Sequence, residues 1–242
     1  VRRRGDGGRR RRARLEARQA EEDAARGRKP GDERQPRHPD GTPKRGRRYK
    51  REFGQPDDKE QDNFTDPDSR IMKRAAGGFD QCYNAQAAVD AEQQIIVAAE
   101  LTNCAADNDQ LAPMLDAVRA NLGAAPEQAL ADAGYRSEEM FEQLHGRATR
   151  CLVALGREGR EQLEIDAAKY PHSAAMAARL DSEQGKAAYR RRKAIAEAPN
   201  GWIKHVLGFT QFSLRGLDKV RGEWKLVCLA LNLRRMCTLV AG

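Results

Sequence analysis

Two carboxylates stand out by their surroundings. Glu197 follows Tyr189-Arg-Arg-Arg-Lys193 and precedes Lys204, a lone acid in a block of fixed positive charge. Tyr189, Lys193 and Glu197 are four residues apart, a spacing that shares one helical face. An acid in that company suits a group that holds a metal ion while its basic neighbours grip phosphates. The competing reading is an exposed helix in which Lys193 and Glu197 pair with each other. Asp132 is the second such acid. It follows the short apolar run Gln128 to Ala131 and opens the turn Asp-Ala-Gly-Tyr-Arg before a capped helix. Open α/β sheets place ligand sites in that crevice, although an aspartate bonding its own turn looks the same in sequence. Together the two acids suit hard divalent cations, whose two-metal sites hold ions ~3.5–4 Å apart during phosphodiester displacement.

The elements that must carry these acids are legible from residue 63 onward. Cys82 to Val89 and Gln94 to Leu101 are β-prone runs around Asp90-Ala-Glu-Gln93, the pattern of a hairpin. Asp107 or Asn108 is placed to cap a helix running to about Asn121. Gln128 to Ala131 predicts a strand, and Ser137 caps a helix through His145 with Met140, Phe141 and Leu144 turned inward. Cys151 to Leu155 predicts a further strand, and residues 156 to 173 read as polar and irregular. Helices are expected over Ala174 to Leu180 and Glu183 to Glu197, with Pro199 breaking or kinking the second. A long helix over Leu217 to Leu239 has apolar residues at 217, 220, 224, 227 and 231 for burial. This order predicts an α/β domain whose mixed sheet has an antiparallel edge and a parallel centre.

Charge divides the chain differently. Residues 1 to 60 hold 21 Lys or Arg against 12 Asp or Glu, a net of +9 beside +8 for all 242 residues. The basicity therefore belongs to residues 1–62, which read as a largely disordered arm with one exposed helix over Arg9 to Arg26. Residues 63–242 form the folded domain in this reading. Such an arm suits nucleic acid. Five scattered cysteines without a CxxC pair suit a reduced cytoplasmic protein without a zinc site. No apolar run approaches membrane-spanning length, and no Gly-rich phosphate loop points to ATP. Trp202, Phe209 and Phe212 interleave with Lys204, His205 and Arg215, as core closure or as a stacking surface for bases.

Three segments carry a family resemblance. Tyr-Asn-Ala-Gln-Ala-Ala-Val-Asp90, Leu-Ala-Asp132-Ala-Gly-Tyr-Arg-Ser and Tyr189 to Lys204 occur in that order over a stretch of about residues 48 to 240. Together they closely resemble the DDE transposases of bacterial insertion sequences, whose catalytic domain is RNase H-like. The resemblance implies Asp132 and Glu197 as the second and third catalytic acids and as ligands of Mg²⁺ or Mn²⁺. It also implies Tyr189, Arg192, Lys193 and Lys204 as DNA contacts, with Lys193 where the family more often has Arg. The implied chemistry is phosphodiester hydrolysis and then strand transfer at transposon ends, by a homo-oligomer acting on end and target DNA.

The first acid is open. Asp90 lies in a hairpin turn; Asp66 and Asp68 precede the hairpin, but Pro67 forbids a paired central strand there. Asp40-Gly41-Thr42 has suitable letters inside a Pro/Arg linker. Family members place this acid upstream of a charged helical insertion. The expectation is therefore an RNase H-like sheet incomplete at its N-terminal strand, in an N-terminally truncated chain. A catalytically inactive fragment that only binds DNA is the alternative, and a related metal-dependent nuclease a third.

Overall fold

The computed structural model describes residues 4–74, 77–156 and 165–241. It forms two compact units, residues 1–67 and 68–242.

The first unit is built on α1 (Arg4–Ala25), rich in the Ala, Arg, Glu and Gln that favour helix. Leu15 is its one buried aliphatic side chain among the described residues, so charge takes over the work of a core. The buried Arg28 guanidinium lies 3.1 Å from Asp23 and 3.1 Å from Asp32, stacks on the Tyr49 ring at 4.4 Å and donates to the Arg51 carbonyl. Asp23 in turn accepts from the Gly54 backbone N–H at 2.9 Å. Arg14 pairs with Asp62 at 2.5 Å, and Arg18 with Glu60.

The hydrogen bond from Arg28, helped by the Arg34 backbone N–H, holds the Asp32 carboxyl below the usual carboxylate range. A depressed folded-state pKa gives stability that is full above the unfolded value near 4 and lost as pH falls through the folded one. Amide protection factors of residues 26–55, taken relative to intrinsic exchange at each pH, are therefore expected to be high at pH 6 and to fall below about pH 4. Equal protection at pH 6 and pH 3 would show that this ion cluster does not hold the segment.

The second unit is mixed α/β. It opens with an antiparallel hairpin, β1 (Arg70–Lys73) and β2 (Phe79–Cys82), that the residue pattern did not suggest. The expected hairpin follows as β3 (Asn84–Val89) and β4 (Ile96–Thr102). Next come α2 (Leu111–Leu122), β5 (Gln128–Ala131), α3 (Glu138–Leu144) and β6 (Arg150–Val153), with β5 and β6 parallel. The chain ends with α4 (Pro171–Asp181), α5 (Glu183–Arg190), α6 (Arg192–His205) and α7 (Leu217–Ala241). Instead of one continuous sheet, the described strands form three pairs.

Each of the last two strand pairs has its own core. Cys151 and Val153 of β6, both buried, lie under α2, α3 and α4 with Met140, Phe141 and Met176. The β3–β4 hairpin packs on α6 and α7 through Ile96, Leu101, Ile203, Val220, Trp224 and Leu231. The core stripe read on α7 is the buried one. Phe209 and Phe212 make edge-on ring contacts beside this core, and Trp202 packs partly buried against it. On the outer side of β4, the Asn232 side-chain amide bonds both the N–H and the C=O of Ile96 at 2.8 Å.

Three local readings need correction. The start of α2 has Gln110 at its cap and no side-chain cap bond, because Asp107 is drawn off by partners on β3. Pro199 does not end its helix: α6 runs through it to His205. The helical ladder is instead interrupted at Arg191, so Tyr189 sits on α5 and Lys193 and Glu197 on α6. Part of the polar stretch 156–173 lies outside the described residues.

Candidate metal and DNA site

Asp132 leaves the end of β5 exposed to solvent, and its Oδ1 accepts from the Gly134 backbone N–H at 2.8 Å. The residues after it make a single 3-10 turn, Ala133–Tyr135. Ser137 then caps α3 by accepting from the Met140 backbone N–H at 3.0 Å. The turn is thus fastened at both ends by local bonds, and Asp132 keeps a free carboxylate oxygen lone pair for an outside ligand.

A second acid stands beside it. A β-carbon on Gly134 would lie 2.9 Å from Asp107 Oδ2 and 3.0 Å from Asp132 Oδ1. Only a glycine lets the turn pass so close to both carboxylates. Asp107 Oδ1 accepts from Asn84 Nδ2 at 2.5 Å and from Gln86 Nε2 at 2.7 Å. Gln86 is buried, and its Oε1 accepts from the Tyr135 hydroxyl. Burial pushes the Tyr135 phenol up, with the Asp107 and Asp132 charges adding. The hydroxyl therefore remains a proton donor at neutral pH, which is the form its bond to Gln86 needs. The Trp224 indole N–H completes the set by donating to the Gln86 carbonyl at 3.0 Å. Asn84, Gln86, Asp107 and Tyr135 thus hold the Asp132 turn from below. Sequence reading missed this role, since Asp107 looks like a cap and its partners lie about twenty positions away. The one available signal was the polar pair Asn84 and Gln86 alternating along an otherwise small, apolar strand.

The Glu197 segment meets this end of β5 through Tyr189. Its hydroxyl donates to the Ala131 carbonyl, the residue before Asp132, at 3.0 Å. Gly185 lets the start of α5 pass against the end of α4, where a β-carbon would collide with the Arg179 carbonyl. The Arg192 guanidinium lies over the Tyr189 ring, 5.5 Å from its centroid. Lys193 and Glu197 are exposed on the first two turns of α6, and Lys204 is exposed in its last turn. Beyond Glu197, a cleft between α6 and α7 is lined by Pro199, Trp202, Arg234 and Arg235.

The remaining acids have other partners. Asp68 Oδ2 accepts from the Leu217 backbone N–H at 2.9 Å, at the start of α7 where a negative charge is favoured. Asp90 Oδ2 accepts from the backbone N–H groups of Glu92 and Gln93 at 3.1 and 2.6 Å in the hairpin turn. Asp66 is buried in the first unit. Among the described residues, no three His, Cys, Asp or Glu side chains stand close enough to hold one metal ion together. Asp132 and Glu197 are each the right donor type for a hard cation.

A family model described as the transposase DDE domain matches residues 40–233, a span that includes Asp132, Glu197 and Lys204. No curated protein and no solved structure matches the chain. No helix among the described residues is long and apolar enough to cross a membrane.

Proposed function

Since this chain belongs to the transposase DDE-domain family, we propose that its second unit is the RNase H-like catalytic domain of a bacterial insertion-sequence transposase. It hydrolyses phosphodiesters at transposon ends and joins the freed 3′-hydroxyl to target DNA, in the cytoplasm where that DNA lies. Asp132 and Glu197 are the two acids that would hold Mg²⁺ or Mn²⁺. When bound, the ion supplies Lewis-acid stabilisation of the attacking and leaving oxygens. Lys193 and Lys204 grip backbone phosphates, and Arg192 on the Tyr189 ring offers a planar guanidinium to another. Asn84, Gln86, Asp107 and Tyr135 position the Asp132 turn.

The observation that carries this reading is the Tyr189 hydroxyl on the Ala131 carbonyl. It fastens α5, the helix that leads into the one bearing Glu197, to the strand end bearing Asp132, two acids that are 65 positions apart in the chain. A second reading is a DNA-binding chain without catalysis, whose basic α5–α6 segment contacts phosphates while the acids hold no ion.

A plasmid carrying the DNA that flanks the coding gene separates the two. Mg²⁺-dependent nicking at those flanks by this chain supports the transposase reading. Binding without nicking, with nicking gained when the residues encoded upstream are included, assigns catalysis to a longer chain. Absence of nicking in both forms supports the binding-only reading. Binding in each case is expected to weaken with salt at a log–log slope of about −0.9 per phosphate contacted. Lys193→Ala with Lys204→Ala is expected to make that slope shallower by about 2.

A further inference from the structure

α7 is apolar on two opposite sides, and only one is covered. Val220, Trp224, Cys228 and Leu231 face the hairpin and are at most 6% exposed. Leu226, Leu229, Leu233, Met236 and Val240 are 66%, 50%, 54%, 51% and 88% exposed. At about 100° per residue, these five lie roughly opposite the core stripe. Their spacing is 3, 4, 3 and 4 residues, the a/d repeat of a helix–helix seam rather than the wider stripe of a helix lying on a core.

We propose that this stripe is the interface of a two-fold dimer of the chain, α7 packing antiparallel against α7 of a second copy. The stripe is nearly symmetric about Leu233. Leu226 and Val240 lie seven positions to either side, and Leu229 and Met236 lie four and three away. An antiparallel pair therefore meets as Leu233 on Leu233, Leu226 on Val240 and Leu229 on Met236, which is the self-complementarity an isologous contact requires. The flanking positions Ala230 and Cys237 are small and exposed, so two backbones can approach closely. The nearby cations are turned away from the seam: Arg234 lies over the Trp202 ring at 5.2 Å, and Arg235 donates to the Gln93 carbonyl at 2.7 Å. No charged side chain belongs to the stripe itself, which does not suit a nucleic-acid partner. Covering the stripe on both copies removes on the order of 1,200 Å² from water, the lower bound of a specific interface. Such a dimer forms whether or not the chain acts on DNA.

Sedimentation equilibrium of the full chain between about 1 and 100 μM tests it, a range that brackets micromolar association. A monomer–dimer equilibrium is expected. Leu229→Glu with Leu233→Glu should weaken it on the order of 100-fold or more, with the helical circular dichroism unchanged because both side chains already face solvent. In a Cys104→Ser, Cys237→Ser background, Leu233→Cys is expected to form a disulfide-linked dimer on mild oxidation, and Leu226→Cys is not. A parent chain that stays monomeric at 100 μM overturns the proposal. So does association that survives both glutamates, or loss of helical signal in the glutamate variant, since that loss would mean the stripe packs within one chain.

Discussion

Asp132→Asn and Glu197→Gln are each expected to lower Mg²⁺-dependent cleavage by about 10³-fold or more, in whichever form of the protein cleaves. Metal-ion stabilisation of phosphoryl oxygens contributes several kcal/mol, and each 1.36 kcal/mol is a factor of ten in rate. Both substitutions keep shape and remove the charge that attracts the cation. Neither should disturb the fold, because both side chains are exposed and the amide oxygen introduced by Asp132→Asn can still accept from the Gly134 N–H. Melting temperature and DNA binding without metal therefore stay at parent values while cleavage falls. Variants that nick the flanking DNA at the parent rate would remove these two acids from the mechanism. The same assay on Asp66→Asn, Asp68→Asn and Asp90→Asn reports whether one of them completes the acid set.

Trp224→Ala is the substitution with the largest expected effect on stability. The indole is 5% exposed, packs among Ile203, Val220 and Leu231, and donates to the Gln86 carbonyl. Deleting it leaves a cavity and an unpaired carbonyl, at a cost of about 3–5 kcal/mol. For a unit of this size that lowers Tm by roughly 6–20 °C. Trp224→Phe keeps most of the packing and loses the donor, so about 1–3 kcal/mol is expected from the unpaired carbonyl. Thermal melts of the three proteins check the order. A Trp224→Ala chain melting within about two degrees of the parent, far less than a lost core aromatic costs, would show that α7 contributes little to the hairpin core. Because the Gln86 side chain also holds Asp107 and Tyr135, the alanine variant should loosen the Asp132 turn as well.

What the residues revealed beforehand was mostly local. Gln128 to Ala131 is a strand with the expected bounds, since a short run carrying Ala-Leu-Ala between turn formers has few alternatives. The Ser137 cap and the inward Met140, Phe141 and Leu144 follow from spacing within one helix. The core face of α7 follows in the same way. The unread parts depend on partners distant in sequence. The Asp107 carboxylate can bond its own helix start or reach β3, and composition does not say which wins. The β1–β2 hairpin escaped notice because Arg-Ile-Met-Lys and Phe-Asp-Gln-Cys bury little on either face. Pro199 looked like a helix end, yet burial of its ring holds α6 through it. Whether Asp132 and Glu197 share an ion depends on a third acid that local pattern does not locate.

The Asn232 amide on Ile96 has a consequence for how this protein behaves in a crowded solution. A hairpin with a bare outer strand offers unpaired backbone groups on which any stray extended chain can nucleate, the first step towards intermolecular aggregation. One amide that presents a donor and an acceptor together imitates the backbone of a neighbouring strand, and it sits at the first residue of β4. At that residue the outward donor and acceptor are already taken, so the long helix both buttresses the hairpin and denies a foreign strand that point of attachment.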